Sequence, residues 1–162
     1  MKTVYLALGA NLGRREEALE TARRLLEREG ARIKRASALY ETEPMEVTGQ
    51  PWFLNQVVEA ETALFPLQLL SRINRIEVEM GRRRVVPKGP RTIDIDILFY
   101  GRFTIVSPKL TVPHLRFRER RFVLAPMAEI APDFRDPVTR KSMRELLAAL
   151  SGQTVRKWAG TA

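Results

Sequence analysis

The chain has 162 residues, of which 44% are hydrophobic and 29% charged, a balance that indicates a globular protein and excludes a largely disordered one. No apolar run approaches the ~20 residues needed to span a bilayer, and the absence of cysteine excludes disulfides and thiolate metal sites. With 28 Lys+Arg against 19 Asp+Glu, the net charge of +9 favours a polyanionic ligand, either nucleic acid or a nucleotide. We expect a single cytoplasmic domain over 1–162 that makes no membrane contact.

Apolar periodicity and Gly/Pro breaks predict the elements in chain order. They are a strand at 4–8, a helix at 14–29, a strand at 33–40, a strand at 53–63, a helix at 66–80 and a strand at 93–100. Residues 41–52 and 81–92 are predicted loops, the second dense in arginine. Short strands are expected after Gly101, then helices at 123–130 and 142–150. This order predicts an α+β fold: a ferredoxin-like βαββαβ core with a largely antiparallel sheet, flanking helices and C-terminal additions.

An alternating acidic pattern, Ile93-Asp94-Ile95-Asp96-Ile97, lies on the last predicted core strand. Side chains alternate between the faces of a strand, so both carboxylates share one face, roughly 7 Å apart at Cβ. Mg²⁺ is usually held by one or two carboxylates together with substrate phosphates. A bare D-x-D is more often a solvated acidic face, but here it follows a loop rich in cations, which favours a bound metal.

The arginine-rich loop supplies the second group of candidates. Arg82, Arg84 and Arg91 carry planar forks that match phosphate oxygens. The alternative is that they are solvated loop arginines. The helix before the loop brings Asn74 and Glu77 to the same region, where Asn74 is either a nucleotide contact or a surface polar residue.

His114 is the single histidine and precedes a second basic cluster at 116–121. From the residues alone, a phosphate-donating role and a structural one are equally open. Phe53 and Asn55, two apart on one strand, and Phe122 suggest a pocket for a flat polar heterocycle. The alternative for the aromatics is simple core packing. The turn at 9–13 lacks the spacing of a P-loop or of G-x-G-x-x-G.

Three stretches together resemble the 6-hydroxymethyl-7,8-dihydropterin pyrophosphokinases of the folate pathway. They are GPRTIDIDIL at 89–98, QPWFLN at 50–55 and VPH at 112–114. The likeness runs from the LGANL at 8–12 to about Pro132. Members of that family transfer the β,γ-pyrophosphoryl group of ATP to the pterin hydroxymethyl oxygen and release AMP.

The resemblance implies a role for each candidate. It implies two Mg²⁺ ions bridged by Asp94 and Asp96, with Arg82 and Arg91 assisting transfer. Residues implied around ATP are Asn74, Glu77, Arg82, Arg84, Arg91, Ile97, Lys109, Thr111, His114 and Arg120. Residues implied around the reduced pterin are Thr42, Met45, Phe53, Asn55, Asp94 and Phe122.

The chain departs from the family pattern at a few positions. Lys88 stands where an aromatic often helps to cover the pterin, and Leu115 stands where a tyrosine can contact phosphate. These changes bear on loop closure and on phosphate contacts, not on the acidic pair. The alternative function is a basic RNA-binding ferredoxin-like module, although its K/R-G-F/Y-G-F signature is missing. No apolar surface stripe is evident, so we expect a monomer.

Overall fold

The computed structural model describes residues 1–43, 52–81, 93–152 and 155–158. The strands are β1 (Lys2–Ala10), β2 (Ala31–Ala36), β3 (Tyr40–Thr42), β4 (Phe53–Thr62), β5 (Asp94–Tyr100), β6 (Ile105–Val106), β7 (Thr111–Val112) and β8 (Val155–Lys157). The helices are α1 (Arg15–Arg28), α2 (Pro66–Glu79), α3 (Arg121–Ile130) and α4 (Met143–Ala149), and a 3-10 turn spans Phe117–Glu119.

One six-stranded sheet organises the chain. Its strand order is β5-β1-β4-β3-β8, and β2 also pairs with β4; β1 runs antiparallel to both of its neighbours. This is the predicted α+β, ferredoxin-like arrangement, and the fold class is confirmed. Among the described residues, none of the helices has the length and apolar character needed to cross a membrane.

Alternation along the strands divides the core into two layers. Val4, Leu6 and Leu8 point to the face covered by α1 and α2, where they pack with a cluster that includes Leu19 and Ile73. The opposite face carries Tyr5, Val57, Leu98 and Phe99, which pack against the 3-10 turn, α3 and α4 through Phe117, Leu124 and Met143 respectively. Because both faces of β1, β4 and β5 are covered over most of their length, these three strands present apolar residues on both sides.

The prediction of one strand at 33–40 was wrong in detail, because two short strands, β2 and β3, share this region. Between them, the hydroxyl of Ser37 accepts a hydrogen bond from the backbone N–H of Val57 at 3.0 Å, while the Ser37 N–H donates to the Val57 carbonyl at 2.9 Å. The side chain of Ser37 therefore takes the place of a backbone group and interrupts the ladder. Glu41 and Thr42, predicted to lie in a loop, belong to β3.

The C-terminal additions contain both predicted helices, α3 and α4, and one strand, β8, that was not predicted. Helix α4 begins after Ser142, whose hydroxyl accepts from the backbone N–H of Glu145 at 3.1 Å in a capping box. Strand β8 pairs antiparallel with β3 and extends the sheet beyond the ferredoxin-like core.

Candidate active site

Three strands bring two predicted site residues and a glycine into one row. Gly9 on β1 lies opposite Asn55 on β4 and opposite Asp94 on β5. Residues opposite each other in an antiparallel sheet share a face, so the amide of Asn55 and the carboxylate of Asp94 flank the position of Gly9 on the face that carries α3. The row forms at the end of the sheet where β1 ends and β5 begins.

The acidic pair alternates as predicted. Asp94 and Asp96 are partly exposed, whereas Ile93, Ile95 and Ile97 are buried against the α1/α2 layer. Two carboxylates on one accessible strand face are hard oxygen donors that leave other coordination positions for water and phosphate, which fits Mg²⁺. Within the described parts of the chain, no group of three or more His, Cys, Asp or Glu is arranged to hold a metal.

Helix α2 supports this strand through Glu77. Its buried carboxylate accepts a hydrogen bond of 2.9 Å from the backbone N–H of Ile95, the residue between the two aspartates. Because β5 pairs only with β1 within the described sheet, this N–H faces outward from the sheet edge, and Glu77 satisfies it. Glu77 was predicted near ATP; the structure gives it a contact with β5, the strand that carries the acidic pair.

Gly9 has no side chain, and this leaves room in the row for the amide of Asn55. A Cβ built on Gly9 would lie 2.9 Å from Oδ1 of Asn55 and 3.8 Å from the ring of Phe53. The first of these distances is shorter than any normal carbon–oxygen contact, so only glycine leaves the Asn55 amide in place. Sequence reasoning did not identify Gly9 as part of the site, although its place in the strand-to-helix turn had been noted.

Three of the six residues predicted around the pterin, Thr42, Phe53 and Asn55, come together on β3 and β4. Thr42 lies opposite Phe53, and Nδ2 of Asn55 donates a hydrogen bond of 2.8 Å to Oγ1 of Thr42. Thr42 and Asn55 are buried and Phe53 is partly exposed. This bond fixes the direction of the Asn55 amide. These residues therefore place a ring beside an oriented amide, as a flat polar ligand requires.

A group of side chains from the C-terminal half faces the acidic pair. Burial, together with the positive charges of Arg120 and Arg116, lowers the pKa of His114, and the carboxylate of Asp94 opposes that shift. Nδ1 of His114 accepts a hydrogen bond from the backbone N–H of Arg116 at 3.3 Å. The imidazole is therefore held neutral, with its remaining proton on Nε2, available to donate to an anion.

Arg120 and Phe122 complete this side of the site. The guanidinium of Arg120 lies 5.5 Å from the centre of the Phe122 ring, a cation–π distance. Phe122, at the start of α3, packs against the layer that holds Val57 and Leu98. Arg120 thus links the predicted phosphate-binding histidine with the predicted pterin-binding ring.

Two other arginines of the second basic cluster, Arg118 and Arg121, have a structural role. Arg118 donates two hydrogen bonds, of 2.6 and 2.9 Å, to the buried carboxylate of Asp136, and Arg121 donates to the Leu150 carbonyl at 2.6 Å. Of this cluster, only Arg120 is a predicted ATP contact. In the structure, Arg118 and Arg121 anchor the segment that presents Arg120.

Other predicted residues lie at the periphery or outside the described chain. Asn74 and Lys109 are exposed, Thr111 lies on β7, and the side chain of Ile97 is buried in the α1/α2 layer. Arg82, Arg84, Arg91 and Met45, with Lys88, fall outside the described residues. A cavity of about 520 Å³, lined by Lys2, Tyr100 and Phe103 among others, lies at the opposite end of the strands.

Sequence comparison identifies the family. The family model described as 7,8-dihydro-6-hydroxymethylpterin-pyrophosphokinase (HPPK) matches residues 5–132. The chain is 40% identical over 161 residues to the 2-amino-4-hydroxy-6-hydroxymethyldihydropteridine pyrophosphokinase of Pseudomonas aeruginosa, covering 99% of each chain. It is 48% identical over 127 residues to the Bacillus subtilis protein of the same name, covering 78% of this chain and 76% of that one.

Longer proteins also contain a matching region. The chain is 44% identical over 156 residues to the folic acid synthesis protein fol1 of Schizosaccharomyces pombe, covering 96% of this chain but only 21% of that protein. A solved HPPK-DHPS structure in complex with substrates superposes with a TM-score of 0.76 at 18% identity, over 91% of this chain and 43% of that one, which supports the fold. Such matches do not favour the RNA-binding alternative. The chain belongs to the 7,8-dihydro-6-hydroxymethylpterin-pyrophosphokinase family.

Proposed function

We propose that this chain transfers the β,γ-pyrophosphoryl group of ATP to the hydroxymethyl oxygen of 6-hydroxymethyl-7,8-dihydropterin and releases AMP. The observation that carries the proposal is the row formed by Asn55, Gly9 and Asp94. It sets an oriented amide and an aromatic ring beside a carboxylate pair, so that a heterocycle and a metal–phosphate group can meet on one sheet face.

The chain's own residues orient the acceptor. Asn55, held by Thr42, offers its amide to the polar edge of the pterin, and Phe53 and Phe122 offer ring faces to its plane. Gly9 supports this arrangement because, having no side chain, it leaves room for Oδ1 of Asn55, which a Cβ at this position would approach to 2.9 Å. Holding the hydroxymethyl group in one place removes rotational freedom before the reaction, which accounts for a large part of the rate enhancement in such transfers.

The acidic pair is the proposed holder of the metal, with two ions expected. Asp94 and Asp96 would hold Mg²⁺, which would neutralise phosphate charge and lower the pKa of the attacking hydroxyl. The two carboxylates are partly exposed, which spares them the cost of full burial. Glu77 keeps their strand fixed through Ile95.

Cationic and donor groups are proposed to bind the triphosphate. Nε2–H of neutral His114 and the guanidinium of Arg120 can donate to phosphate oxygens. Arg82, Arg84 and Arg91 are proposed to supply further positive charge. Transfer of a phosphoryl-type group needs little covalent chemistry from the protein, so in-line positioning and charge neutralisation are the functions assigned to these side chains.

The products distinguish this reaction from an ordinary kinase reaction. Protein incubated with magnesium, ATP and the reduced pterin alcohol is expected to form AMP and the pterin diphosphate in equal amounts, and EDTA should stop the reaction. ADP as the sole nucleotide product would overturn the proposal, because attack would then fall on the γ-phosphorus. Omitting the pterin controls for simple ATP hydrolysis.

We further propose that the enzyme acts as a monomer in the cytoplasm, on small molecules rather than on nucleic acid. The site is assembled from strands and helices of one chain, which supports the first part. Sedimentation at the concentration of the activity assay tests it; a dimer at that concentration would contradict it.

A further inference from the structure

A cluster of charged and aromatic side chains lies behind the predicted pterin pocket, on the other face of the sheet. Its centre is Glu41, which stands between Tyr40 and Thr42 on β3 and therefore points away from the pocket. Glu41 is buried, and both of its carboxylate oxygens are paired. The cluster shares no side chain with the site described above.

Two arginines from distant parts of the chain meet at this carboxylate. Arg15, at the start of α1, lies 3.0 Å from Oε2 of Glu41. Arg156, on β8, donates to Oε1 through both Nε, at 3.0 Å, and a terminal nitrogen, at 2.7 Å. Burial alone would raise the pKa of Glu41, but the hydrogen bonds from Arg156 and Arg15 outweigh it and hold that pKa below its usual range. Glu41 is therefore ionised in this clamp, which consists of Arg15, Glu41 and Arg156.

The same two arginines also hold Trp52. Arg15 donates to the Trp52 carbonyl at 2.9 Å, and the guanidinium of Arg156 lies 4.6 Å from the centre of the Trp52 ring. Each arginine thus joins the end of β3 to the residue that precedes β4. Thr42 follows Glu41 and Phe53 follows Trp52, so the joined residues are the direct neighbours of two predicted pterin contacts.

Trp158 secures the outer end of the cluster. Its ring lies 4.9 Å from the Arg15 guanidinium, its indole N–H donates to Glu16, and its backbone N–H donates to the Leu39 carbonyl at 2.8 Å. Arg156 and Trp158 lie beyond residue 132, where the match to the family model ends.

We infer that the C-terminal segment 155–158 is a positioning device for the pterin pocket, in which Arg156 sets the spacing between Thr42 and Phe53 by holding Glu41 and Trp52. The inference rests on the proposed function, since it concerns the same pocket. Arg156 is not among the residues predicted to contact either substrate. Its effect on binding therefore passes through the backbone of β3 and β4. It should alter acceptor binding more than ATP binding, because the predicted ATP contacts lie on other elements.

The test is a comparison of Arg156→Ala with Arg144→Ala in the full chain. Both side chains are similarly exposed, at 63% and 66%, and both pair with a carboxylate, but Arg144 pairs with Asp133 away from the site. Arg156→Ala is expected to raise the KM for the pterin alcohol roughly fivefold while changing kcat and the KM for ATP less than about twofold, as expected for lost acceptor positioning. Arg144→Ala should leave all three unchanged.

Two further measurements separate positioning from a general loss of structure. Arg156→Lys restores the charge at Glu41 and should recover part of the pterin affinity, and calorimetric binding of the pterin should weaken in parallel with KM. Equal changes in both KM values, or an unchanged pterin KM, would overturn the inference. A wild-type protein that binds the pterin but forms no AMP would overturn the proposed reaction while leaving the Arg156 effect on binding measurable; failure to bind the pterin would overturn both.

Discussion

The carboxylate of Glu77 accepts a hydrogen bond of 2.9 Å from the backbone N–H of Ile95, so a helix residue holds the strand position that separates Asp94 from Asp96, the proposed metal ligands. Both residues are buried. The contact lies on the outer edge of β5, where no described strand pairs with it. The acidic pair therefore depends on α2 for its alignment as well as on β1.

Glu77→Ala is expected to lower stability, because it leaves the Ile95 N–H buried without its acceptor. The expected cost is about 1–3 kcal/mol of unfolding free energy. Denaturant unfolding followed by circular dichroism measures it. Glu77→Gln, which keeps an acceptor oxygen, is the matched control and should lose less. Equal stability of Glu77→Ala and the wild type would contradict the structural role.

Asp94→Ala and Asp96→Ala should each lower AMP formation by at least roughly a hundredfold, the scale seen when one preorganised electrostatic partner of a transition state is removed. Both variants should stay folded, since the two carboxylates are partly exposed and their removal leaves the buried isoleucines in place. Activity and thermal unfolding are measured side by side. Asp133→Ala is the control, because that carboxylate is exposed and pairs with Arg144. A large loss of stability with normal turnover would refute the assignment.

Gly9→Ala is expected to disturb the Asn55 amide, because the new methyl group would meet Oδ1 at 2.9 Å. Overpacking of this kind costs about 1–3 kcal/mol. The KM for the pterin should rise more than the KM for ATP. The double variant with Asn55→Ala should be more stable than the sum of the two single losses predicts, because the clash is relieved. If the losses of unfolding free energy in the two single variants add up to the loss in the double variant, the side chains at positions 9 and 55 do not clash.

Asp136→Asn tests the anchor of the segment that carries Arg120. Burial would raise the pKa of Asp136, but the hydrogen bonds from Arg118, Val138 and Thr139 dominate and lower it from its ordinary value of 3.8. A carboxyl whose folded pKa is lower than its unfolded pKa contributes its full stabilisation above the unfolded value. That contribution is lost as the pH falls from about 4 through the lower, folded pKa.

The wild type should therefore lose unfolding free energy below about pH 4 more steeply than Asp136→Asn does. At neutral pH the variant should be less stable by about 3 kcal/mol, the scale for breaking a buried ion pair. Unfolding curves at neutral and acid pH give both quantities. The exposed Asp133→Asn provides the comparison. Parallel pH profiles for the wild type and Asp136→Asn would exclude a depressed pKa at this carboxyl.

Much of the fold could be predicted because its signals are local. Alternation marked β1, β4 and β5, and the apolar stripes marked α1 and α2 to within a few residues of their observed ends. The acidic pair was predicted with the correct face for the same reason, since period-two alternation needs no knowledge of the partner strand.

The rest depends on contacts between distant residues. The break at Ser37 arises from its bond with Val57, twenty positions away, and β8 forms only because β3 offers an edge. The clamp at Glu41 joins Arg15 to Arg156, and these two arginines are so far apart in the sequence that no local pattern indicates their contact. Gly9 was overlooked because the need for glycine there is imposed by Asn55 on another strand.

The isoleucines and aspartates of β5 alternate one residue apart, and this has a consequence for folding accuracy. A slip of one position against β1 would turn both carboxylates into the apolar layer beneath α1 and α2 and leave the isoleucines in solvent. Burying each charge without a partner would cost on the order of several kcal/mol. The arrangement that offers oxygen ligands to a cation thereby also selects a single pairing of these strands and disfavours a misaligned sheet.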